Sequence, residues 1–136
     1  MTWFTYLHIA PVAKGRPKFS MRGGYPRAYT PSETVIAEYE IKRHLVKEWK
    51  KQPLEGAIKT TVIFYMPIPK STSKKRYKTI LGEPHIKKPD KDNLEKLLND
   101  AGNGIIWKDD AQIWHSDIKK VYSNETKIYL EIEYER

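Results

Sequence analysis

Four aspartates occur within one short stretch of the chain, residues 87–113, which reads KKPDKDNLEKLLNDAGNGIIWKDDAQI. They are Asp90, Asp92, Asp109 and Asp110, and they stand out because the 136-residue chain has a formal net charge of +8. Two or three carboxylates suit Mg²⁺, which retains water ligands and leaves coordination positions for the oxygens of a substrate phosphate. The cluster therefore favours metal-assisted hydrolysis of a phosphodiester.

Each aspartate taken singly also has a structural explanation. Asp90 or Asp92 can cap a helix, and Asp92 can pair with Lys96 one turn later. Asp109 and Asp110 can begin a short turn. These structural roles need no metal, so the residues alone leave both interpretations open.

An EF-hand calcium loop does not fit the same stretch. With Asp90 as the first loop position, Leu94 stands at the fifth, Glu95 at the glycine position and Ala101 where a bidentate glutamate belongs. Calcium loops of that type need oxygen ligands at the fifth and last of these positions and glycine between them. A sparse carboxylate site remains the better interpretation.

The positive charge is concentrated in two segments that also hold aromatic residues and turn formers. Residues 10–30 carry five basic residues and no acid, and residues 70–88 carry seven basic residues against Glu83 alone. Such segments can meet phosphates with charge and unpaired bases with rings, although solvated lysine-rich loops are the alternative. A polyanion such as DNA is the favoured partner. The basic residues expected to contact it are Lys14, Arg16, Lys18, Arg27, Lys74, Lys75, Arg76, Lys87 and Lys88.

The composition excludes several other kinds of site. The chain has no cysteine, which rules out structural disulfides, thiolate metal sites and cysteine nucleophiles. No run of about 18 apolar residues is present, and the first residues lack the basic region of a secretion signal. We therefore expect a soluble, intracellular protein, without contact to a membrane, that folds as one domain over residues 1–136.

Four segments rich in β-branched and aromatic residues are expected to form strands, namely residues 2–9, 57–66, 113–122 and 127–134. The second segment has apolar side chains on both faces, which predicts a strand covered on both sides. Residues 123–126, SNET, are typical of a turn, so the last two strands are expected to form an antiparallel hairpin. Trp107 and Trp114 bracket the aspartate pair, and core packing is favoured over base stacking for both.

The first of two expected helices spans residues 31–51. Thr30, Pro31 and Glu33 fit an N-cap residue, a first helical position and a capping-box acid. A broad apolar arc follows them, and Pro53 ends the pattern. Its apolar members are Val35, Ile36, Tyr39, Ile41, Leu45, Val46 and Trp49.

The second expected helix begins near Asp90 to Asp92 and carries the acidic motif. The apolar face consists of Leu94, Leu97, Leu98 and Ala101, at the spacing of one helix face. Asn93, Lys96 and Asp100 fall together on another face, and Gly102 and Gly104 are expected to stop the helix. The polar groups are thus gathered beside the start of this helix.

The chain resembles the RusA-type Holliday junction resolvases, also called crossover-junction endodeoxyribonucleases, which are common in bacterial prophages. The family pattern is KGRPRxF near the N-terminus, YxTP before a helix, HxxKPDxDNLxKxxxDxLNG and a final DDxQ. The corresponding segments are KGRPKF at 14–19, AYTP at 28–31, HIKKPDKDNLEK at 85–96, NDAGNG at 99–104 and DDAQI at 109–113. One departure is AGNG, where the family usually has a larger apolar residue before NG.

The resemblance implies roles for individual residues. Asp90, Asp92 and Asp110 match the essential carboxylates, which would hold Mg²⁺, and Lys96 matches the functionally important lysine, which would stabilise charge on the phosphate or orient water. Asp109 occupies the neighbouring position with a less defined role. Asn93 and His85 are candidates for supporting positions around the site, against helix capping for Asn93 and a surface role for His85.

The resemblance also implies the reaction and its setting. The expected protein is an α+β domain, a mixed sheet with flanking helices, that resolves four-way DNA junctions by paired symmetric nicks using Mg²⁺, with Mn²⁺ as a substitute. A homodimer is implied, because a C₂ pair presents two identical sites, and so is a bacterial or prophage-encoded protein of the cytoplasm. Two alternatives stay open: a branched-DNA or single-strand-binding module without catalysis, and a nuclease for flaps or forks.

Overall fold

Four strands and three helices make up most of the chain, in a computed structural model that describes residues 1–15, 18–24, 27–29 and 32–135. For residues 18–20, 22 and 27–29 it describes the main chain only. A two-stranded ribbon lies outside the main sheet. The elements are β1 (Thr2–Leu7), β2 (Lys18–Ser20), β3 (Arg27–Tyr29), α1 (Ser32–Glu48), β4 (Ile58–Pro67), α2 (Lys74–Ile80), α3 (Lys91–Gly102), β5 (Ile113–Ser123) and β6 (Lys127–Tyr134).

The main sheet has the order β1-β6-β4-β5. The β1–β6 and β6–β4 pairs are antiparallel, and the β4–β5 pair is parallel. A parallel pair needs a long connection, and here the segment between β4 and β5 contains both α2 and α3. The expected α+β fold with a mixed sheet and flanking helices is therefore confirmed.

The predicted hairpin between the last two strands is wrong. Although β5 and β6 run in opposite directions, β4 lies between them and is hydrogen-bonded to both. The turn-forming residues between Ser123 and Lys127 cross the end of β4 instead of closing a two-stranded ribbon. Turn chemistry marks where a chain reverses, but it does not decide which strand becomes the hydrogen-bonded neighbour.

The central strand β4 separates a buried face of the sheet from an open one. Its buried residues alternate with half-buried ones along the whole strand. The buried face packs into the main core together with apolar residues of α1 and α3. On the open face, Phe4 and Tyr6 of β1 remain 59% and 41% exposed. The expected cover on both sides is thus confirmed for one face only.

Helix α1 is shorter than predicted and is rotated relative to the predicted apolar arc. It ends at Glu48, three residues before the expected end, and Thr30 and Pro31 lie outside the described residues. The buried positions are Thr34, Ala37, Ile41 and Leu45. Four predicted core residues are instead exposed, namely Val35, Ile36, Tyr39 and Val46.

Helix α3 confirms its prediction closely. It spans Lys91–Gly102, and the four predicted apolar residues of its inner face are all buried. Gly102 is the last residue of the helix, and it lies against the fully buried indole of Trp107. The Trp107 ring nitrogen donates to Asn103 Oδ1 at 3.0 Å. The tryptophan therefore holds the C-terminal end of α3 onto the chain that leads to Asp109.

Gly102→Ala should destabilise the protein. A Cβ atom at Gly102 would overlap ring atoms Cζ2 and Cε2 of Trp107, and overpacking of this kind costs about 1–3 kcal/mol. Urea unfolding followed by circular dichroism measures the change in the free energy of unfolding. Gly56→Ala is the matched control, since a Cβ there meets nothing within 4 Å. Equal stability of the two variants would show that Trp107 can move aside.

Helix α2 and the β2–β3 ribbon were not predicted. Ser73 is the N-cap residue of α2, and its side chain accepts a hydrogen bond from the main-chain N–H of Arg76. That serine was a usable signal, but the segment was interpreted only as a basic stretch, either a DNA-binding surface or a solvated loop, and not as a helix. Within the described part of the chain, no helix combines the length and the apolarity needed to cross a bilayer.

Candidate active site

The acidic motif lies at the start of α3, where two aspartates project from the first turn. Asp90 is the N-cap residue, but its side chain makes no capping hydrogen bond. Asp92 follows in the first helical turn and is exposed. Because N-cap aspartates usually accept a main-chain N–H of the first turn, the Asp90 carboxylate is left available for another ligand.

The lysine of the motif pairs with an aspartate further along the helix. Lys96 Nζ donates to Asp100 Oδ1 and Oδ2 at 3.2 and 3.4 Å. The alternative pairing with Asp92 is not among the described ion pairs. Lys96 is exposed whereas Asp100 is half-buried, so the ammonium can leave this partner for a ligand at low cost.

Asp100 belongs to a chain of alternating charges that joins α1 to α3, which we call the ion-pair chain. Its order is Lys42, Glu38, Lys14, Asp100 and Lys96, with N···O distances of 3.3, 3.0, 3.3 and 3.2 Å. Burial lowers the pKa of Lys14, but the hydrogen bonds and charges of Glu38 and Asp100 outweigh it and raise that pKa. Lys14 therefore fastens the first basic segment to α3.

The second half of the acidic motif forms a 3₁₀ turn, Asp110–Gln112, before β5. The Asp109 carboxylate accepts the main-chain N–H of Ala111 at 3.1 Å, and the Gln112 side chain accepts that of Asp109. The Ala111 N–H is also the main cause that lowers the pKa of Asp109. Asp109 thus has the turn-forming role that was the structural alternative for it.

Gln112 anchors this turn to the loop before β4. Its side-chain amide donates to the carbonyls of Leu54 and Gly56 at 2.8 and 3.0 Å. The turn is therefore fixed at both ends, by its own capping box and by a neighbouring loop. These bonds fix the main chain that carries Asp110.

Asp110 is half-buried, and the 3₁₀ turn that carries it contacts α3. Its pKa is raised by burial, by a hydrogen bond with Asp109 and by the charge of Asp100, while the charge of Lys96 opposes the rise. Asp110 therefore lies within range of the charges of Asp100 and Lys96 on α3. A carboxylate that is costly to ionise beside other carboxylates is stabilised when a cation is bound.

The carboxylates fit a hard divalent cation by donor type and by charge, but the described part of the chain does not provide a closed cage. Among residues 1–15, 18–24, 27–29 and 32–135, no three Asp, Glu or His side chains are grouped so that they could hold a metal ion. The aspartates of α3 are also spread along the helix, because Asp100 lies about 12 Å further along it than Asp92. Mg²⁺ is commonly bound by one or two carboxylates with waters and phosphate oxygens.

His85 lies beside β5, in the segment that precedes α3. Its main-chain N–H donates to the carbonyl of Lys120 at 3.0 Å, and its ring packs on Tyr122 with ring centroids 4.8 Å apart. Burial, followed by the charge of Lys120, lowers the pKa of His85. The ring nitrogen Nδ1 is buried without a hydrogen-bond partner among the described residues. These contacts fasten the segment before α3 to β5.

Comparison with known proteins identifies the family. The family described as Endodeoxyribonuclease RusA matches residues 8–133, nearly the whole chain. The chain belongs to the RusA endodeoxyribonuclease family. A Bacillus subtilis (strain 168) protein with the name Uncharacterized protein YqaN is 31% identical over 126 residues, which cover 90% of this chain and 89% of that protein. Membership of the RusA family confirms the resemblance and makes the protein a nuclease.

The first basic segment of this RusA-family chain is only partly described. Lys14 is engaged in the ion-pair chain, and its main-chain N–H donates to the carbonyl of Asn93 at 3.0 Å. Asn93 thus meets this segment through its main chain and leaves its side chain exposed. Arg16 lies outside the described residues, and Lys18 and Arg27 are described by their main chain only.

The second basic segment is exposed. Lys74, Lys75 and Arg76 form the first turn of α2, and Arg76 pairs with Glu83 at 3.3 Å. Two further lysines of the predicted DNA surface, and one tryptophan close to it in the sequence, are also exposed in this RusA-family chain. Lys87 and Lys88 are exposed just before Asp90, and Trp114 is 70% exposed. Core packing is therefore wrong for Trp114 but confirmed for Trp107.

Proposed function

We propose that this RusA-family nuclease resolves four-way DNA junctions by hydrolysing phosphodiesters in a Mg²⁺-dependent reaction, with Mn²⁺ as a substitute. The observation that carries the proposal is that the turn of Asp110 contacts α3 and that Asp110 lies within range of the charges of Asp100 and Lys96 on that helix. It supports a common site in so far as the turn of Asp110 lies near the same helix that begins with Asp90 and Asp92. The proposed metal ligands are Asp90 and Asp92 at the start of α3 and Asp110 in the 3₁₀ turn, which would bind one or two Mg²⁺ ions together with waters and phosphate oxygens.

The ion, when bound, would polarise the scissile phosphate, lower the pKa of the attacking water and neutralise the leaving oxygen. The residues of the protein would bind the ion and orient the phosphate. Lys96, which is exposed and shares Asp100 with Lys14, would exchange that partner for a phosphate oxygen and stabilise its developing charge. The positive charge of the ion would offset the repulsion that the Asp110 carboxylate experiences from Asp100 and Asp109.

Three further residues would support the proposed ligands. Asp109 shapes the turn that presents Asp110, and His85 packs in the segment that leads to Asp90. Asn93 presents an exposed side chain one residue after Asp92, from which it would orient a ligand carboxylate or a water. We assign no direct chemical step to these three residues.

The proposed partner is a four-way junction bound by two copies of the protein in a bacterial or prophage setting. Two symmetric nicks require two active sites, and a C₂ homodimer presents two identical ones. Sedimentation velocity in buffer with EDTA tests the assembly directly. A strictly monomeric protein that nevertheless makes paired nicks would contradict the dimer.

The nuclease itself is tested with labelled DNA. A synthetic four-way junction, a matched duplex, a flap and a fork are each incubated with and without Mg²⁺. Junction cleavage at paired symmetric sites, dependent on Mg²⁺ and abolished by EDTA, is the expected result. Preferential cutting of the flap or fork would replace the junction as substrate. Tight junction binding without any cutting would support the non-catalytic module.

Junction affinity should fall steeply with salt. Exposed lysines that neutralise phosphates contribute a log–log slope of about −0.9 for each phosphate contacted on duplex DNA. Lys74→Gln combined with Lys75→Gln should therefore make the slope less negative by about 0.9 for each contact that is lost. Gel-shift titrations over a range of KCl concentrations in EDTA measure it.

The control for charge alone is the double variant Lys47→Gln and Lys50→Gln. Both lysines are exposed, near the C-terminal end of α1 and immediately after it, and neither is in the proposed DNA surface. The control should keep the slope of the wild type. Equal slopes in the α2 variant and the wild type would place the DNA on another surface.

A further inference from the structure

Lys120 is a lysine of β5 that faces the helices. It is paired in register with Phe64 of β4, which is 1% exposed, whereas the preceding Lys119 is exposed on the other face. The Lys120 ammonium donates to the carbonyl oxygens of Lys87 and Pro89 at 2.7 and 2.6 Å. It therefore ties β5 to the segment that ends immediately before Asp90.

Main-chain bonds hold the earlier part of that segment along the edge of β5. Gly82 N–H donates to Tyr122 O at 2.8 Å, and Tyr122 N–H donates to Glu83 O at 3.0 Å. His85 N–H donates to Lys120 O at 3.0 Å and is the last of the described main-chain bonds between this segment and β5. After His85, the segment is bonded to β5 through the side chain of Lys120 instead of through the main chain of the strand.

The position of the two accepting carbonyls explains why a side chain, and not the main chain of β5, donates to them. Pro89 has no N–H and cannot continue a ladder of main-chain bonds, yet its carbonyl needs a donor. An ammonium supplies several donors, and a bond from a charged donor is about twice as strong as a neutral one. Because two of these donors are directed to carbonyls, Lys120 is not well placed to contact phosphate.

The bonds fix the main chain on both sides of Asp90. The Pro89 carbonyl, held by Lys120, belongs to the peptide that leads into Asp90. The Asp90 carbonyl accepts the N–H of Leu94 at 3.2 Å within the helix. The Asp90 carboxylate makes no capping bond of its own, so its direction depends on the main chain that carries it.

We propose that Lys120 is a positioning residue of the nuclease, which sets the direction of the Asp90 carboxylate by holding the carbonyls of Lys87 and Pro89. The inference rests on the proposed function, because Asp90 is there a ligand of Mg²⁺. It assigns to β5, which contributes no proposed ligand, a part in building the site. Residues that orient metal ligands typically change metal affinity or activity by about 10–100-fold when they are replaced.

The test compares Lys120→Met, which keeps an apolar stem without the donor, with Lys120→Arg, which keeps donors. Lys119→Met is the matched control on the opposite face of β5. Three quantities are measured: the Mg²⁺ concentration for half-maximal junction cleavage, Mn²⁺ binding without DNA by isothermal calorimetry, and junction affinity in EDTA. Lys120→Met should weaken both metal-dependent quantities by about 10–100-fold, while junction affinity stays that of the wild type.

The conservative variant and a local measurement separate positioning from general stability. Lys120→Arg should recover most of the metal affinity, because a guanidinium can also donate to two carbonyls. Hydrogen–deuterium exchange of Lys120→Met should be faster over residues 86–94 and unchanged in β4 and β6. Lys119→Met should match the wild type in every measurement.

A folded Lys120→Met variant with the metal requirement and exchange of the wild type would overturn the inference. If Lys120→Met does not fold, Lys120→Gln, which retains one donor group, replaces it. Loss of the fold in both would also overturn it, since the lysine would then serve the whole structure. A wild-type protein that neither binds Mn²⁺ nor cuts DNA would instead refute the proposed function. Hydrogen–deuterium exchange would then still show whether Lys120 holds the main chain before Asp90.

Discussion

Asp110→Asn should lower Mg²⁺-dependent cleavage of a four-way junction by on the order of 10³-fold, or below detection, while the protein stays folded. The amide keeps the size of the side chain but removes the negative charge that would hold the ion. Asp92→Asn should have the same effect from the start of α3. Single-turnover nicking of a labelled junction in Mg²⁺ measures the loss.

Binding should not follow cleavage in these two variants. A carboxylate without a bound cation repels phosphate, so in EDTA each asparagine variant should bind the junction as tightly as the wild type or better, by a few tenths to about 1 kcal/mol. Asp117→Asn, at an exposed position of β5, is the control and should leave both quantities unchanged. Retained cleavage in both variants would refute the catalytic role, and joint loss of cleavage and binding would mean that the aspartates maintain the fold.

The pH dependence of the free energy of unfolding tests the environment of Asp110 independently of cleavage. Its pKa in the folded protein is raised, chiefly by burial, so its contribution to stability is present below the unfolded pKa and is lost as pH rises through the folded value. In EDTA at neutral pH, Asp110→Asn should therefore be at least as stable as the wild type. The difference should disappear in acid, where both side chains are neutral. A variant less stable than the wild type at neutral pH would contradict this account.

The parts of the fold that could be predicted are those that local periodicity determines. The spacing of Leu94, Leu97, Leu98 and Ala101 predicted α3 and its buried face, and each residue is at most 1% exposed. The hairpin of β5 and β6 failed because strand pairing depends on β4, which is distant in sequence. Helix α1 failed in part for a related reason: its residues offer apolar side chains on several faces, and only packing selects Ala37 and Ile41 over Val35 and Ile36.

In the candidate site, too, the residues given by local sequence patterns were predicted and those that depend on distant contacts were missed. Its motif residues were found from carboxylate spacing and from the resemblance to the RusA family, which the family match confirms. The link from Lys14 to Asp100 was missed, because it joins a loop to a helix that lies far away in the sequence. Lys120 and Gln112 were missed for the same reason, since their partners are main-chain carbonyls that carry no signal in residue type. The i, i+4 spacing of Lys96 and Asp100 was visible and could have indicated their pair.

Replacing Lys96 with alanine should lower the rate of junction cleavage by on the order of 10²–10³-fold, the typical loss when one contact to the transition state is removed. The proposed metal ligands remain in place, so slow cleavage should persist at the Mg²⁺ requirement of the wild type. The free energy of unfolding should change little, because exposed i, i+4 ion pairs contribute about 0.3–0.5 kcal/mol.

Lys42→Ala is the matched control for the loss of such a pair. Lys42 and Glu38 are also an i, i+4 pair, at 3.3 Å and with comparable exposure, at the opposite end of the ion-pair chain. If Lys96 acts on the phosphate, Lys42→Ala should retain the wild-type rate even though it loses an equivalent ion pair. Asp100→Asn sharpens the comparison, since it frees the Lys96 ammonium without removing it and should therefore cost less activity than Lys96→Ala. Wild-type rates for Lys96→Ala would mean that this lysine is only the surface partner of Asp100, and the proposed stabilisation of phosphate charge would have to come from another residue.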